Sequence, residues 1–352
     1  MPDQEKKSHK IRNFSLVLLA LALIGGAAFY YFYWLRSPQR SLELIREAVA
    51  THNSEAFEKQ VDVNNLNSKA IDAMVTATIS PDDAQNPLLA TMLGMIKNTA
   101  LPHFNSQLRT YVETGSFAPT DASSEGSQIA AATAARTGLE NISIKSVGTS
   151  ERHNDQAVVN VKLWDSKLEK EFLLKVGMVR LPDFTWKLME ITNLGEFLVA
   201  HDEAVDAKLS KLNEPISAEI DKRVTLLKDG SKPYVVERED LAVGGISLSK
   251  LKAAFSFKLL DPNVMTVRGN VEVYDKDKQV IFSRAFDSEG KDLSKSKDGI
   301  WSFADEWRLN SFDTMDKKLL NVDMSTTTTG IVFTAVRLKN GKEIKFLTEL
   351  PN

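Results

Sequence analysis

The sequence predicts an α+β protein with an N-terminal transmembrane helix, a cone-like domain of helices plus an antiparallel sheet, and an all-β sandwich domain. Three patterns lead to this prediction: an uncharged run over residues 14–35, apolar residues at helical spacing after it, and alternating apolar residues from residue 142 onward. The predicted organisation is a cytoplasmic tail over residues 1–13, the span over 14–35, and extracytoplasmic domains over 37–225 and 240–352.

Composition is that of a protein with packed domains, and it excludes several kinds of site. The chain has 352 residues, of which 43% are hydrophobic and 26% charged, so two folded domains are expected. Cysteine is absent. Disulfides, a thiol nucleophile, a thiolate zinc site and a lipidated cysteine are therefore excluded.

Charge is distributed unevenly along the chain, whose net charge is −3. The tail over residues 1–13 has four basic and two acidic residues, so it carries +2 and the remainder carries −5. Binding to nucleic acid depends on a dense field of lysine and arginine, so no nucleic-acid partner is expected. The same net charge argues against electrostatic attachment of the extracytoplasmic part to anionic lipid.

Residues Phe14 to Leu35 have the length and composition of a membrane-spanning helix. The 22 residues carry no charge, and at 1.5 Å per residue they cover roughly 33 Å, enough for a hydrocarbon core of about 30 Å. Six aromatic residues, Phe29 to Trp34, crowd the C-terminal end as in an interfacial aromatic belt. The basic tail favours an N-terminus inside, although Arg36 and Arg40 weaken the asymmetry. The expected partner is the membrane, and the expected location is the cytoplasmic (inner) membrane.

A cleaved signal peptide is the competing interpretation of this segment. Gly26-Ala27-Ala28 offers the small residues of a cleavage site after a basic start. The aromatic residues that follow would then form a strongly apolar new N-terminus, which favours a retained anchor.

Four helices are expected at the start of the first domain. Ser37-Pro38 combines a capping hydroxyl with proline at the first helical position. Ser54 is expected to cap a short second helix, a third is expected over Leu66 to Ile79, and Asn86-Pro87 marks the start of a fourth.

Residues 120–138 are rich in small residues and are interpreted as a loop or weak helix. The apolar period after them changes to 2, which predicts an antiparallel meander of about four strands that ends at Trp186 and Leu188. Glu196 to Val224 is expected to be helical, with an interruption near Pro215.

Two stretches of the first domain resemble a known type of domain. They are SPQRSLELIREAVATHNSEAFEKQVDV (Ser37 to Val63) and WKLMEITN (Trp186 to Asn193). They resemble uncharacterised bacterial membrane-anchored domains with a nuclear-transport-factor-like, or SnoaL-like (cystatin-like), cone of helices packed in a curved sheet. That fold includes isomerases, hydrolases, ligand carriers and interaction modules, so the resemblance implies a fold and does not select a function.

The second domain is expected to contain about seven short strands, including one over Leu319 to Met324. Asn340-Gly341 predicts a hairpin with a type I′ turn. The stretches VRGNVEVYDKDKQVI, WRLNSF and VRLKNGKEI resemble immunoglobulin-like modules of bacterial surface proteins, and these motifs consist of turns and core positions rather than a ligand signature.

No residue is predicted to be catalytic, cofactor-binding or metal-binding, and no cofactor is expected. His201-Asp202-Glu203 is interpreted as a solvated helix face rather than a metal site, because consecutive helical residues point in different directions. The other histidines do not have metal-ligand spacing either. They are His9, His52, His103 and His153.

Two carboxylates and two tryptophans have alternative interpretations. Asp62 is expected to cap a helix, with a pocket acid as the alternative. Asp183 is expected to be a turn residue, with a general base as the alternative. Trp301 and Trp307 are expected in the sandwich core, with an exposed carbohydrate-stacking pair as the alternative.

We therefore expect a single-pass anchored, extracytoplasmic protein that binds an envelope protein, a cell-wall component or a small ligand and does not act as an enzyme. An enzyme with an acid–base pocket in the cone-like domain is one alternative, and a structural or assembly factor is the other. A deep pocket with two converging polar groups would favour the enzyme.

The predicted topology can be tested by cysteine labelling, because the native chain has no thiol. Ser54→Cys should react with a membrane-impermeant maleimide on intact cells, whereas Ser8→Cys should react only after the cells are opened. Labelling of Ser8→Cys but not Ser54→Cys on intact cells would reverse the topology.

Overall fold

The structure contains two compact units, residues 1–204 (unit 1) and residues 205–352 (unit 2). It combines α-helices with antiparallel sheets, which confirms the α+β class. The computed structural model describes residues 22–26, 30–78, 87–116, 141–227, 234–243, 246–288, 293–295, 300–310 and 313–351.

The predicted membrane span is only partly covered by the described residues. Residues 22–26 are helical, and Tyr30–Trp34 form a short π-helical turn. Across the described ranges, no helix combines the length and the apolar character needed to cross a bilayer. The structure therefore does not support the predicted transmembrane helix. The predicted tail over residues 1–13 and the whole of the predicted loop over 120–138 lie outside the described residues.

Helices precede the sheet of unit 1. The predicted start of the first is confirmed, since the Ser37 side chain accepts a hydrogen bond from Arg40 N at 3.1 Å. The second is capped by Asn53, whose Oδ1 accepts from Ala56 N at 2.9 Å, so the predicted cap at Ser54 is wrong by one residue. These helices are α1 (Pro38–Ala50), α2 (Ser54–Gln60), α3 (Val63–Thr78) and α4 (Pro87–Thr114).

The sheet of unit 1 is an antiparallel meander in the order β1-β2-β3-β4, as predicted. A long helix follows it and passes through Pro215, so the predicted interruption there is wrong. Alternate apolar residues of β2 and β3 pack with the first part of this helix around Phe197. The elements are β1 (Ile142–His153), β2 (Gln156–Asp165), β3 (Lys170–Arg180), β4 (Trp186–Ile191) and α5 (Leu194–Asp221).

Strand β4 positions the helices on the sheet. Val61, which follows α2, forms a parallel bridge with Leu188, and Asp62 N–H donates to Leu188 O at 2.9 Å. Ser41 of α1 accepts a hydrogen bond from Trp186 N at 3.0 Å. These bonds pair buried polar groups that would otherwise cost free energy, so they fix α1 and the start of α3 against one strand.

Unit 2 contains two antiparallel sheets, in the orders β10-β11-β7-β5 and β13-β12-β8-β9, and β6 also pairs with β7. Phe255 and Phe257 of β7 meet Phe286 and Phe333 of the other sheet, with ring centroids 5.0 Å and 5.5 Å apart in the closest pairs. The two sheets therefore share one aromatic core. The strands are β5 (Val224–Leu227), β6 (Val235–Val243), β7 (Ile246–Leu259), β8 (Val264–Tyr274), β9 (Val280–Asp287), β10 (Leu293–Lys295), β11 (Ile300–Arg308), β12 (Thr328–Leu338) and β13 (Glu343–Lys345).

Two local predictions for unit 2 are wrong. The strand expected over residues 319–324 is instead the end of helix α6 (Thr314–Asn321) and a 3₁₀ turn, Met324–Thr326. Asp313 caps α6 by accepting hydrogen bonds from two backbone N–H groups. The hairpin at Asn340-Gly341 exists, but Gly341 alone of the two has positive φ, at +84°, so its turn is not of type I′.

Candidate functional site

The residues that follow the predicted span are fastened to the sheet of unit 1 through Trp186. This first residue of β4 is 2% exposed. Its indole Nε1–H donates to Arg36 O at 2.9 Å, and its backbone N–H donates to Ser41 Oγ. Trp186 therefore holds the last residue before the cap of α1 through its side chain and the first turn of that helix through its backbone.

The turn between β3 and β4 presents an aromatic side chain in a strained conformation. Leu181 N–H donates to Thr185 O at 2.8 Å, and Phe184 N–H donates to Leu181 O at 2.9 Å. Phe184 has a φ of 68° and its side chain is 42% exposed. The left-handed region costs about 1–2 kcal/mol for a residue with a Cβ atom, so this turn holds a bulky apolar residue where glycine would be favoured.

A second hairpin of the same chain shows what such a turn normally contains. Leu338 N–H donates to Lys342 O at 2.8 Å, and Gly341 N–H donates to Leu338 O at 2.9 Å, which repeats the bonds of the Phe184 turn. Glycine therefore occupies the position that corresponds to Phe184. The other described non-glycine residues with positive φ are all polar: His52, Asn154, Glu169 and Lys278.

Three arginine side chains lie over the rings of Phe184 and of the tyrosines at positions 31 and 33. The Cζ atom of Arg36 is 4.5 Å from the centroid of Phe184, and that of Arg180 is 4.6 Å from the same centroid. Arg152 Cζ is 5.6 Å from the Tyr33 ring. Such contacts stabilise a guanidinium against the negative face of a ring. We define the arginine–aromatic cluster as Tyr31, Tyr33, Arg36, Arg152, Arg180 and Phe184.

The cluster is locally basic although the chain is acidic overall. In the described part of the chain, no carboxylate lies within ion-pair distance of Arg152 or Arg180, and Arg180 Nε is buried without a hydrogen-bond partner. The acid nearest to Arg180 in sequence, Asp183, accepts hydrogen bonds from Thr185 Oγ1 at 2.6 Å and Thr185 N at 3.0 Å. These bonds hold the pKa of the Asp183 carboxyl below its usual value.

An open groove of about 440 Å³ runs beside this cluster, between residues 33–43 and β1. Gln39 spans it at one side, donating from Nε2 to Gly148 O and to Ser150 Oγ, both at 3.3 Å. A second groove of about 700 Å³ lies between α3, the end of β4 and α5. Its lining is acidic and includes the exposed side chain of Val199. The charged residues along it are Lys69, Asp72, Glu190, Glu196 and Glu203.

A histidine–aspartate pair is enclosed in the core of unit 1. His201 Nε2 and Asp165 Oδ2 are 3.1 Å apart, and both residues are less than 5% exposed. A carboxylate can only accept, so the imidazole donates from Nε2. The rings of Phe172 and Phe197 lie 5.4 Å and 5.8 Å from the His201 ring. The prediction that His201 faces solvent is therefore wrong. The helical spacing of Leu194, Phe197, Leu198 and His201 could have revealed its buried face.

The two carboxylates and the two tryptophans with alternative interpretations have structural roles. Asp62 caps α3, because its Oδ1 accepts from Asn65 N at 3.0 Å. The Asp183 carboxylate is engaged in its own turn, as described above. Trp301 stacks on Phe257 and packs against the core of unit 2, as does Trp307 on Phe303.

The other described histidines do not converge on a shared site. His52 Nδ1–H donates to Val112 O at 2.9 Å and thereby links the start of α2 to α4. His153 is exposed at the end of β1. Within the described ranges, no group of three histidine, aspartate or glutamate side chains is arranged to hold a metal ion.

Comparison with protein-family models, curated proteins and solved structures gave no match for this chain. The resemblances to the nuclear-transport-factor-like cone and to immunoglobulin-like modules therefore remain predictions.

The buried pair should contribute to stability rather than to catalysis. His201→Phe keeps the ring among its aromatic neighbours but leaves Asp165 Oδ2 unpaired, so we expect a loss of about 1–3 kcal/mol in the free energy of unfolding. The neighbouring exposed change Glu203→Ala should alter it by less than about 0.5 kcal/mol. Urea unfolding of the two variants measures this, and equal stabilities would contradict the assigned role.

Proposed function

We propose that this protein is a non-enzymatic binding protein of the cell envelope, anchored in the cytoplasmic membrane by residues 14–35 with both units outside the cytoplasm. In this proposal unit 1 has the cone-like fold and unit 2 is an immunoglobulin-like β-sandwich. The observation that carries the proposal is the fastening of residues 30–41 onto unit 1.

The path of the chain at this point supports attachment close to the membrane. Leu35 N–H donates to Tyr30 O at 3.0 Å, and Ser37 N–H donates to Trp34 O at 3.0 Å. The Arg36 carbonyl is then held by Trp186. The chain therefore passes from the predicted span into α1 through hydrogen-bonded turns, so unit 1 would stay at the membrane surface rather than at the end of a long linker.

The exposed side chains around this junction have the composition of a membrane-inserted segment. Leu23 and Ile24 are each 66% exposed, and the tyrosines at positions 30, 31 and 33 are more than half exposed. Contiguous exposed apolar groups mark membrane or partner contacts, and tyrosine and tryptophan are enriched at the interface of a bilayer. These observations support the anchor.

The interior of unit 1 favours binding over acid–base catalysis. An enzyme of the alternative class would place two converging polar groups in a pocket that reaches solvent. His201 and Asp165 form the closest such pair, but they are enclosed by phenylalanine rings, and neither residue lines either described groove. In unit 2, the aromatic side chains shared by the two sheets fill the space between them. This packing supports a β-sandwich whose outer faces are available for binding.

In-cell crosslinking from single cysteines tests the binding function. Val199→Cys places a photocrosslinker in the acidic groove, and Leu173→Cys is a matched control because the two native side chains are 45% and 42% exposed. We expect Val199→Cys in the full-length chain to capture one envelope protein or cell-wall fragment reproducibly, and Leu173→Cys not to capture it.

Three results would contradict this proposal. Recovery of the full-length chain in the soluble fraction after cell breakage would contradict the anchor. Substrate turnover by the purified chain, lost on Asp165→Asn while the fold is retained, would establish the enzyme alternative. Equal tolerance of Val199 and Leu173 substitutions in a functional assay would favour the structural or assembly role.

A further inference from the structure

We propose that the arginine–aromatic cluster is a second membrane contact, in which Phe184 enters the lipid interface and the arginines bind phosphate groups of anionic lipid headgroups. This inference rests on the proposed anchor and names the ligand of the surface beside it. The consequence is that unit 1 is held in one orientation on the bilayer rather than only tethered to it.

The position of the cluster along the chain places it at headgroup depth. Arg36 directly follows Leu35, the last residue of the predicted span. Because its guanidinium lies 4.5 Å from the Phe184 centroid, the β3–β4 turn is at the level where the anchor would leave the hydrocarbon. Arginine and aromatic side chains are the residues that characterise this layer of a membrane protein.

The conformation of Phe184 indicates that its exposure has a function. A bulky apolar residue occupies the left-handed position where the equivalent hairpin of unit 2 has Gly341. Strain of this kind persists where the surrounding structure requires it, and it clusters at sites of binding. An exposed aromatic ring at the tip of a two-stranded turn is well placed to insert into a lipid interface.

The charges around the ring suit phosphate. Guanidinium groups bind phosphate oxygens in a two-pronged geometry, and in the described part of the chain neither Arg152 nor Arg180 is paired with a carboxylate. Asp183 is satisfied by Thr185 and Glu43 by Arg40, whose Nη1 is 3.1 Å from its carboxylate. The net charge of −5 outside the tail therefore conceals a local basic surface, and the expectation that the extracytoplasmic part avoids anionic lipid applies to the average and not to this site.

The composition of the cluster distinguishes lipid from two other possible ligands. A free anion would need only the arginines, and a protein partner would need only a complementary shape. The cluster combines three arginines with exposed tyrosine and phenylalanine side chains beside the predicted anchor, which suits a ligand layer with an apolar side and an anionic side. The headgroup region of a bilayer that contains anionic lipid is such a surface.

The test uses the full-length chain in nanodiscs and measures how close the turn lies to lipid. Pro182→Cys carries an environment-sensitive fluorophore beside Phe184, and lipids with a quencher near the headgroup report contact. Ser166→Cys is the matched control, because it lies in the turn at the other end of β3, about 33 Å away at 3.3 Å per residue. Nanodiscs of phosphatidylcholine alone are compared with nanodiscs that also contain phosphatidylglycerol.

We expect strong quenching of the Pro182 label in phosphatidylglycerol nanodiscs, weaker quenching in phosphatidylcholine, and little at Ser166. Adding Arg152→Gln and Arg180→Gln should remove the dependence on phosphatidylglycerol. Adding Phe184→Gly should reduce quenching in both lipids while the fold is retained, because glycine relieves the strained φ at that position.

Several outcomes would overturn the proposal while the anchor stands. They are insertion into nanodiscs with no quenching at Pro182, quenching that is equal in the two lipids and insensitive to the arginine changes, and loss of quenching on addition of inorganic phosphate in phosphatidylcholine alone, which would indicate a free-anion site. Failure of the chain to insert into nanodiscs would instead refute the proposed anchor on which the inference rests.

Discussion

The buried residue Trp186 is the constraint on which the organisation of unit 1 depends. Its indole N–H and backbone N–H bind Arg36 O and Ser41 Oγ, so one residue of β4 fixes both the entry of the chain and the first helix. In the same strand, Leu188 O accepts a hydrogen bond from the backbone N–H of Asp62. Together these bonds hold the segment that follows the predicted span, helix α1 and the start of α3 against β4. The buried polar groups involved would each cost roughly 1–3 kcal/mol if left unpaired.

Sequence patterns predicted the parts of the fold that depend on local chemistry. A capping hydroxyl before a proline, as at Ser37, favours a helix start, and the period of 2 in β2 and β3 follows from a sheet with one buried face. Local sequence signals gave wrong predictions where two structures were equally compatible with the residues. Asn53 and Ser54 are both good capping residues, and residues 319–324 alternate like a strand although Asp313 starts a helix just before them. Pro215 removes one hydrogen bond but does not end its helix.

The sequence does not predict the arginine–aromatic cluster, and the reason is physical. Phenylalanine is disfavoured at positive φ, so no pattern indicates that Phe184 adopts the conformation of a turn glycine. Arg36, Arg152 and Arg180 come from separate elements, and only the folding of the meander brings their guanidinium groups to neighbouring rings. The net charge of the chain does not reveal such a local group of basic residues. The burial of His201, in contrast, was present in the helical spacing of its neighbours and was missed because its polar neighbours in sequence suggested solvent.

The chain that leaves the predicted span is fastened to unit 1 and does not act as a flexible tether. Hydrogen–deuterium exchange of the full-length protein in nanodiscs measures this at the amides of Leu35 and Ser37, which donate to Tyr30 O and Trp34 O. Fastening predicts that these amides exchange as slowly as those of β4, because opening them requires release of the Trp186 bonds. Exchange at the rate of an unstructured peptide, with β4 still protected, would show instead that this segment is a flexible tether.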